Sequence, residues 1–203
     1  MQRHLFITRE FFYVAFYLAA LGAATGLLQF LSPALSYADN NIAPRVSDLA
    51  VANTKRYLLA YFSLKNGLTY EIAAAIQSGI PIKYTYEIEL NEPRLLIDKT
   101  LFHGYISRTL SYDALRGEYT ITLGPKNPRA VSVKSRAEAL SMMFEINGTP
   151  LVPVSRLRRG VTYRLSVRAA AEKVESNIQF PGLMNIFSPW DLKTDWNEIY
   201  FTY

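Results

Sequence analysis

The stretch Ile80-Pro81-Ile82-Lys83-Tyr84-Thr85-Tyr86-Glu87-Ile88-Glu89-Leu90 decides the fold class. Ile82, Tyr84, Tyr86, Ile88 and Leu90 fall on one side of an extended chain, and Pro81, Lys83, Thr85, Glu87 and Glu89 on the other. Side chains of a strand alternate between faces, so this pattern predicts a half-buried antiparallel strand with one wet face.

Other segments repeat the pattern. Val161, Tyr163, Leu165, Val167 and Ala169 oppose Thr162, Arg164, Ser166 and Arg168, while Tyr119, Ile121 and Leu123 alternate with Thr120 and Thr122. The stretch from Tyr112 to Gly117 lies between two such runs and reads as a hairpin loop. Val46–Val51 and Tyr57–Leu64 read as a first strand pair, and Trp196–Phe201 as a closing strand. Leu95–Leu110 is longer and less regular, with a bend or bulge expected near Gly104.

Two short helices interrupt the strands. Thr69 caps one that runs to about Ser78, with Gly79 as its stop and Pro81 just beyond. Ser135 caps the other, with Glu138 in capping-box position and Leu140, Met143 and Phe144 expected to face inward. No strand–helix–strand rhythm connects these elements. The fold class is therefore mainly β: an antiparallel β-sandwich or open barrel with two short helices, preceded by an N-terminal hydrophobic helix.

That leading helix rests on charge placement. Arg3, His4 and Arg9 form a basic start, and no charge follows from Phe11 to Ala38. Residues 11–31 are almost continuously apolar. Pro33 breaks the run, and Ser36 and Ala38 are small residues at the −3 and −1 positions of a candidate cleavage site, followed at once by Asp39-Asn40-Asn41. The site favours a cleaved signal peptide. The length of the apolar run favours a retained anchor, since a spanning helix needs about 20 residues. Either way the positive side stays in the cytoplasm. The expected organisation is a signal peptide or membrane anchor over 1–38, a linker over 39–45 and a single β-rich exported domain over 46–203. The expected location is periplasmic, secreted or tethered to the inner membrane by residues 11–31.

Composition fits this plan. The 203 residues are 50% hydrophobic, with 14 Tyr and 11 Phe, enough to bury a core without disulfides. Cysteine is absent, which removes thiol catalysis, thiolate metal sites and a lipoprotein anchor. The formal charge of +5 admits nucleic acid, anionic lipid or an acidic polymer as partners, as well as ordinary surface charge. Export removes nucleic acid from that set.

The sequence offers little catalytic chemistry. If the leader is cleaved, His103 is the remaining histidine, and no nucleophile-elbow pattern supports a triad around it. One histidine does not supply a zinc site. Glu87 and Glu89, with Glu92 and Asp98 nearby, could pair as glycosidase carboxylates, but a solvated strand face explains them as well. Glycines occur singly, so no phosphate-binding loop is expected. No catalytic residue, metal ligand or cofactor is assigned.

The candidate interaction surface is the run Arg156, Arg158, Arg159, Arg164 and Arg168, suited to anionic lipid headgroups, an acidic envelope polymer or an envelope protein partner. Asn147-Gly148-Thr149 matches a glycosylation sequon but reads as a turn. Near the end, Phe187-Ser188-Pro189-Trp190 and Trp196 form an aromatic cluster, with Trp196 expected in the core.

Several motifs carry a family resemblance. Gly79-Ile80-Pro81-Ile82 before Tyr84 to Leu90, and Ile97-Asp98-Lys99 after it, are among them. So are Tyr112-Asp113-Ala114-Leu115 before Glu118-Tyr119, and Glu138-Ala139-Leu140. Leu157, Gly160-Val161-Thr162-Tyr163, Trp190 and Asp195-Trp196 complete the order. Over most of residues 42–203 the chain resembles the bacterial family called domain of unknown function 4390. The resemblance implies an exported β-rich domain and no activity. It also suggests an envelope or signalling role, since in some bacteria such proteins are thought to be encoded beside membrane sensor kinases.

Two functions are carried forward. One is a non-enzymatic envelope protein that binds a partner through a sheet face, an edge or loops. The other is a carrier of a small apolar ligand or lipid, with a cavity between sheet and helices. The sequence leaves the partner and the oligomeric state open.

Overall fold

The computed structural model describes residues 43–124, 128–174 and 192–203. The hydrophobic leader and the Phe187–Trp190 stretch lie outside the described residues. Among the described residues no helix is long and apolar enough to cross a membrane.

In chain order the first half comprises β1 (Arg45–Asn53), β2 (Tyr57–Lys65), α1 (Tyr70–Gln77), β3 (Ile82–Glu92), β4 (Lys99–Asp113) and β5 (Glu118–Leu123). The second half comprises β6 (Arg129–Val133), α2 (Arg136–Phe144), β7 (Glu145–Pro153), a 3₁₀ turn at Val154–Arg156, β8 (Thr162–Lys173), β9 (Leu192–Lys193) and β10 (Asn197–Thr202). The strands make two antiparallel sheets. One is ordered β1-β2-β7 and the other β10-β8-β3-β4-β5-β6, with β9 on β8. Neither sheet closes on itself, so the fold is mainly β but not a closed barrel.

The alternating stretch is the central strand of the larger sheet. β3 lies between β4 and β8, and Ile82, Tyr84, Tyr86, Ile88 and Leu90 are each at most 1% exposed. The register makes room for the tyrosine rings, because Tyr84 and Tyr86 stand opposite Ala171 and Ala169 of β8. A small residue beside each large one lets the layer fill without voids. The ring of Phe62 from β2 meets Tyr86 at 5.5 Å, and Phe144 from α2 meets Tyr84 edge-on at 5.1 Å. The smaller sheet and α2 thus cover the inner face of the larger sheet.

Buried hydroxyls need partners, and each buried tyrosine finds one on a different covering segment. Tyr84 Oη donates to the Gly67 carbonyl before α1 at 2.8 Å, and Tyr86 Oη to the Met143 carbonyl near the end of α2 at 2.8 Å. Burial pushes both phenols well above their ordinary range, so both remain protonated donors. Tyr119 Oη accepts from Gln77 of α1 at 3.0 Å, and Tyr163 Oη accepts the Arg158 backbone N–H at 2.8 Å. Arg108 of β4 donates to the Met142 and Glu145 carbonyls, satisfying further groups at the end of α2.

The caps follow the sequence. Thr69 Oγ1 accepts the Ile72 N–H and Ser135 Oγ accepts the Glu138 N–H, each at 3.3 Å. Gly79 adopts φ +78° just past the first helix, where a side chain would be strained.

Four local expectations change. The β3–β4 bulge falls at Leu101, since Leu90 pairs with Phe102 but Asn91 with Thr100. Gly104 sits in regular register opposite Ile88, and its missing side chain leaves room for the Phe102 ring, whose Cζ would lie 2.7 Å from an added Cβ. Asn147–Thr149 is a bulge in β7 rather than a turn, with Gly148 at φ +79° between residues paired to Tyr61 and Ala60. In α2, Ala139 and Met143 are the fully buried residues, while Leu140 and Phe144 pack at the margin. Trp196 is outside the core and lies under Arg168 on the outer face.

Tyr86→Phe keeps the ring but leaves the buried Met143 carbonyl without its donor. We expect a loss of about 1–3 kcal/mol in denaturant unfolding. The exposed control Tyr70→Phe is expected to change stability by less than ~0.5 kcal/mol.

Candidate functional site

The five arginines of the sequence cluster divide into two groups. Arg164 and Arg168 stand on the outer face of β8 and are neutralised there. Arg164 binds Asp98 at 2.7 Å and lies 3.8 Å from Glu198. Arg168 binds Glu87 at 2.5 Å and stacks 4.4 Å above the Trp196 ring. Arg156, Arg158 and Arg159 instead occupy the turn before β8 and are solvent-exposed. Leu157 is buried between them, and the Tyr163 hydroxyl holds the Arg158 backbone.

The outer face carries a polar cluster centred on Glu87. His103 Nε2 lies 2.9 Å from Glu87 Oε1, Tyr105 Oη donates to the same oxygen at 3.1 Å, and Arg168 Nε donates to Oε2 at 2.6 Å. Beside it runs a groove of about 410 Å³, edged by the Lys83–Glu172 pair and Lys193. Burial of Glu87 opposes ionisation, but hydrogen bonds from His103, Arg168 and Tyr105 outweigh it and hold the carboxyl below its ordinary range.

Glu87, Glu89 and His103 bring three potential metal-ligating atoms within 4.8 Å of one another. Arg168 is already paired with Glu87 through the other carboxylate oxygen, Oε2. The His103–Glu87 pair resembles the orienting half of a hydrolytic triad. Among the described residues no serine or threonine hydroxyl bonds His103, whose hydrogen-bond partner is Glu87. Glu92 is not solvated as a bare strand-end carboxylate would be: it is 5% exposed.

A second polar cluster carries no sequence signal beyond one acidic residue in a strand. At a bulge in β1, Asp48 takes φ +55°, and its carboxylate accepts from Ser63 and, at 3.1 Å, from Ser47. Lys65 pairs with it at 3.1 Å. The hydrogen bond from Ser63 is the main cause of a carboxyl pKa below the ordinary range. These contacts fix the bulge, and Asp tolerates the left-handed backbone better than most residues.

The least expected surface is the β3–β4 loop. Because β4 starts at Lys99, Leu95, Leu96 and Ile97 belong to no strand and are 100%, 91% and 81% exposed. The loop is closed by Asp98 Oδ1, which accepts the Arg94 N–H at 3.2 Å. At its base Glu92 Oε1 receives Arg94 at 3.1 Å and Arg158 at 2.5 Å. Burial of Glu92 works against its charge, yet Arg94 and Arg158 hold it ionised below the ordinary range. The β1–β2 hairpin reaches the same end, since the Arg56 carbonyl accepts the Val154 N–H at 2.9 Å. Exposed Lys55, Arg56, Arg94, Arg156, Arg158 and Arg159 therefore share one end of the domain with the aliphatic loop.

Glu87→Gln tests the outer-face cluster. A carboxyl whose pKa is lowered by folding stabilises the protein above its unfolded pKa, and the contribution is lost as pH falls through the folded value. We expect the variant to be less stable than wild type by about 1 kcal/mol at neutral pH. The two unfolding curves should converge in acid.

No curated protein and no solved structure matches the chain. The family model described as "Domain of unknown function (DUF4390)" matches residues 43–200, from the start of β1 into β10. The match spans nearly all of the two-sheet unit, and the chain belongs to that family.

Proposed function

We propose that the exported domain is a non-enzymatic interaction module of the cell envelope, docking through the end that carries Leu95–Ile97. The observation that carries this reading is the exposure of three consecutive large aliphatic side chains at one loop tip. They contribute nothing to the core, and polar residues there would serve solubility better. A contiguous apolar projection rimmed by charge has the character of a contact surface.

The outer-face cluster supports the non-enzymatic part of the reading, because its carboxylate, imidazole and guanidinium already satisfy one another. The carrier alternative has less support. Among the described residues, one pocket between the helices and the larger sheet, near Ile76, Tyr119 and Leu140, has a volume of about 10 Å³. Ligand cavities run to roughly 300–1,000 Å³.

A photo-crosslinking residue at Leu96 in intact cells tests the proposal. Leu115, which is 99% exposed on the hairpin at the other end of β4, serves as control. The expected result is a discrete protein or lipid adduct from position 96 and none from 115. Equal labelling at both positions, or none at either, overturns it.

A further inference from the structure

We propose that the Leu95–Ile97 loop is a bilayer-docking tip, entering the headgroup–acyl boundary of an anionic membrane while the surrounding cations lie over lipid phosphates. This rests on the interaction-module reading and names its partner.

Three observations favour a bilayer over a protein groove. First, the exposed aliphatics are consecutive. A groove that takes an extended segment reads alternate side chains, whereas a fluid hydrocarbon layer accepts apolar groups in every direction. Second, the tip is a short closed loop, tied across its base from Arg94 to Asp98, so little chain entropy remains to be lost on insertion. Third, the charge at this end is one-sided. Its acids are already occupied: Glu92 by Arg94 and Arg158, and Asp98 by Arg164. Arg156 and Arg159 are exposed in the same turn as Arg158, and Lys55 and Arg56 are exposed in the hairpin that binds Val154 just before that turn. Long cationic side chains can lay their stems along the interface and keep their heads among phosphates.

The cysteine-free chain makes the test site-specific, because one introduced thiol is the only labelling position. The full chain is prepared as Leu96→Cys, with Leu115→Cys as control. Each carries an environment-sensitive fluorophore and is mixed with vesicles of phosphatidylcholine alone or with phosphatidylglycerol. A probe at the tip reports insertion there, whatever the leader does.

The expected result is a blue shift at position 96 on phosphatidylglycerol vesicles, quenched by nitroxide-labelled acyl chains, with no response at 115. Adding Lys55→Glu and Arg159→Glu should raise the lipid concentration needed for half-maximal shift by roughly tenfold or more. High salt should act in the same direction. A probe at 96 that stays in water on vesicles holding the chain overturns the bilayer proposal. If Leu96 nevertheless crosslinks a protein in cells, the interaction-module reading survives with a different partner. If it crosslinks nothing, both readings fall.

Discussion

The structure depends on the need of each buried tyrosine hydroxyl for a partner. A phenylalanine core would bury the same rings and leave the covering segments free to slide. Here the ring supplies apolar burial, and the hydroxyl fixes which segment lies over it. Tyr84 selects the approach to α1, Tyr86 the end of α2, Tyr119 the outer turn of α1, and Tyr163 the arginine-bearing turn. Leaving such a group unpaired costs about 1–3 kcal/mol, so alternative placements of the covering layer are penalised at several points together.

This constraint reaches the candidate contact surface. The Arg158 backbone is held by a core hydroxyl, and its guanidinium is held by Glu92. Glu92 also orders Arg94 at the foot of the aliphatic loop. Thus one buried carboxylate and one buried phenol connect the packing of β8 to the layout of charge at the end of the domain. The arrangement is thus fixed by contacts within the domain itself.

Much of the fold was legible because strand alternation is a local signal. The runs around Tyr84, Tyr119 and Tyr163 each declare their buried face, and Thr69 and Ser135 declare the helix starts. The bulges were misread because they arise from pairing. Nothing in Leu95–Leu110 distinguishes Leu101 from Gly104 until β3 is laid beside it. The site was harder for the same reason. Arg156 to Arg168 are close in sequence, but the turn into β8 sends one group to the domain end and the other onto a sheet face with its own carboxylates. Leu95–Ile97 reads as apolar material for a strand, and only the late start of β4 leaves it outside. Trp196 was misplaced because hydrophobicity alone does not show the guanidinium that stacks on it.

The unequal lengths of neighbouring strands have one more effect. β4 runs for 15 residues, but β5 pairs only with its Arg108–Asp113 half. Among the described residues, the Lys99–Ile106 flank of β4 that points away from β3 therefore has no neighbouring strand. A bare flank of that length invites pairing with another copy and growth into aggregates. The extra residue at Leu101 interrupts the regular spacing of backbone groups, and bulges of this kind twist a strand away from flat partners. The irregularity thus disfavours flat pairing along a strand that, among the described residues, is left half uncovered.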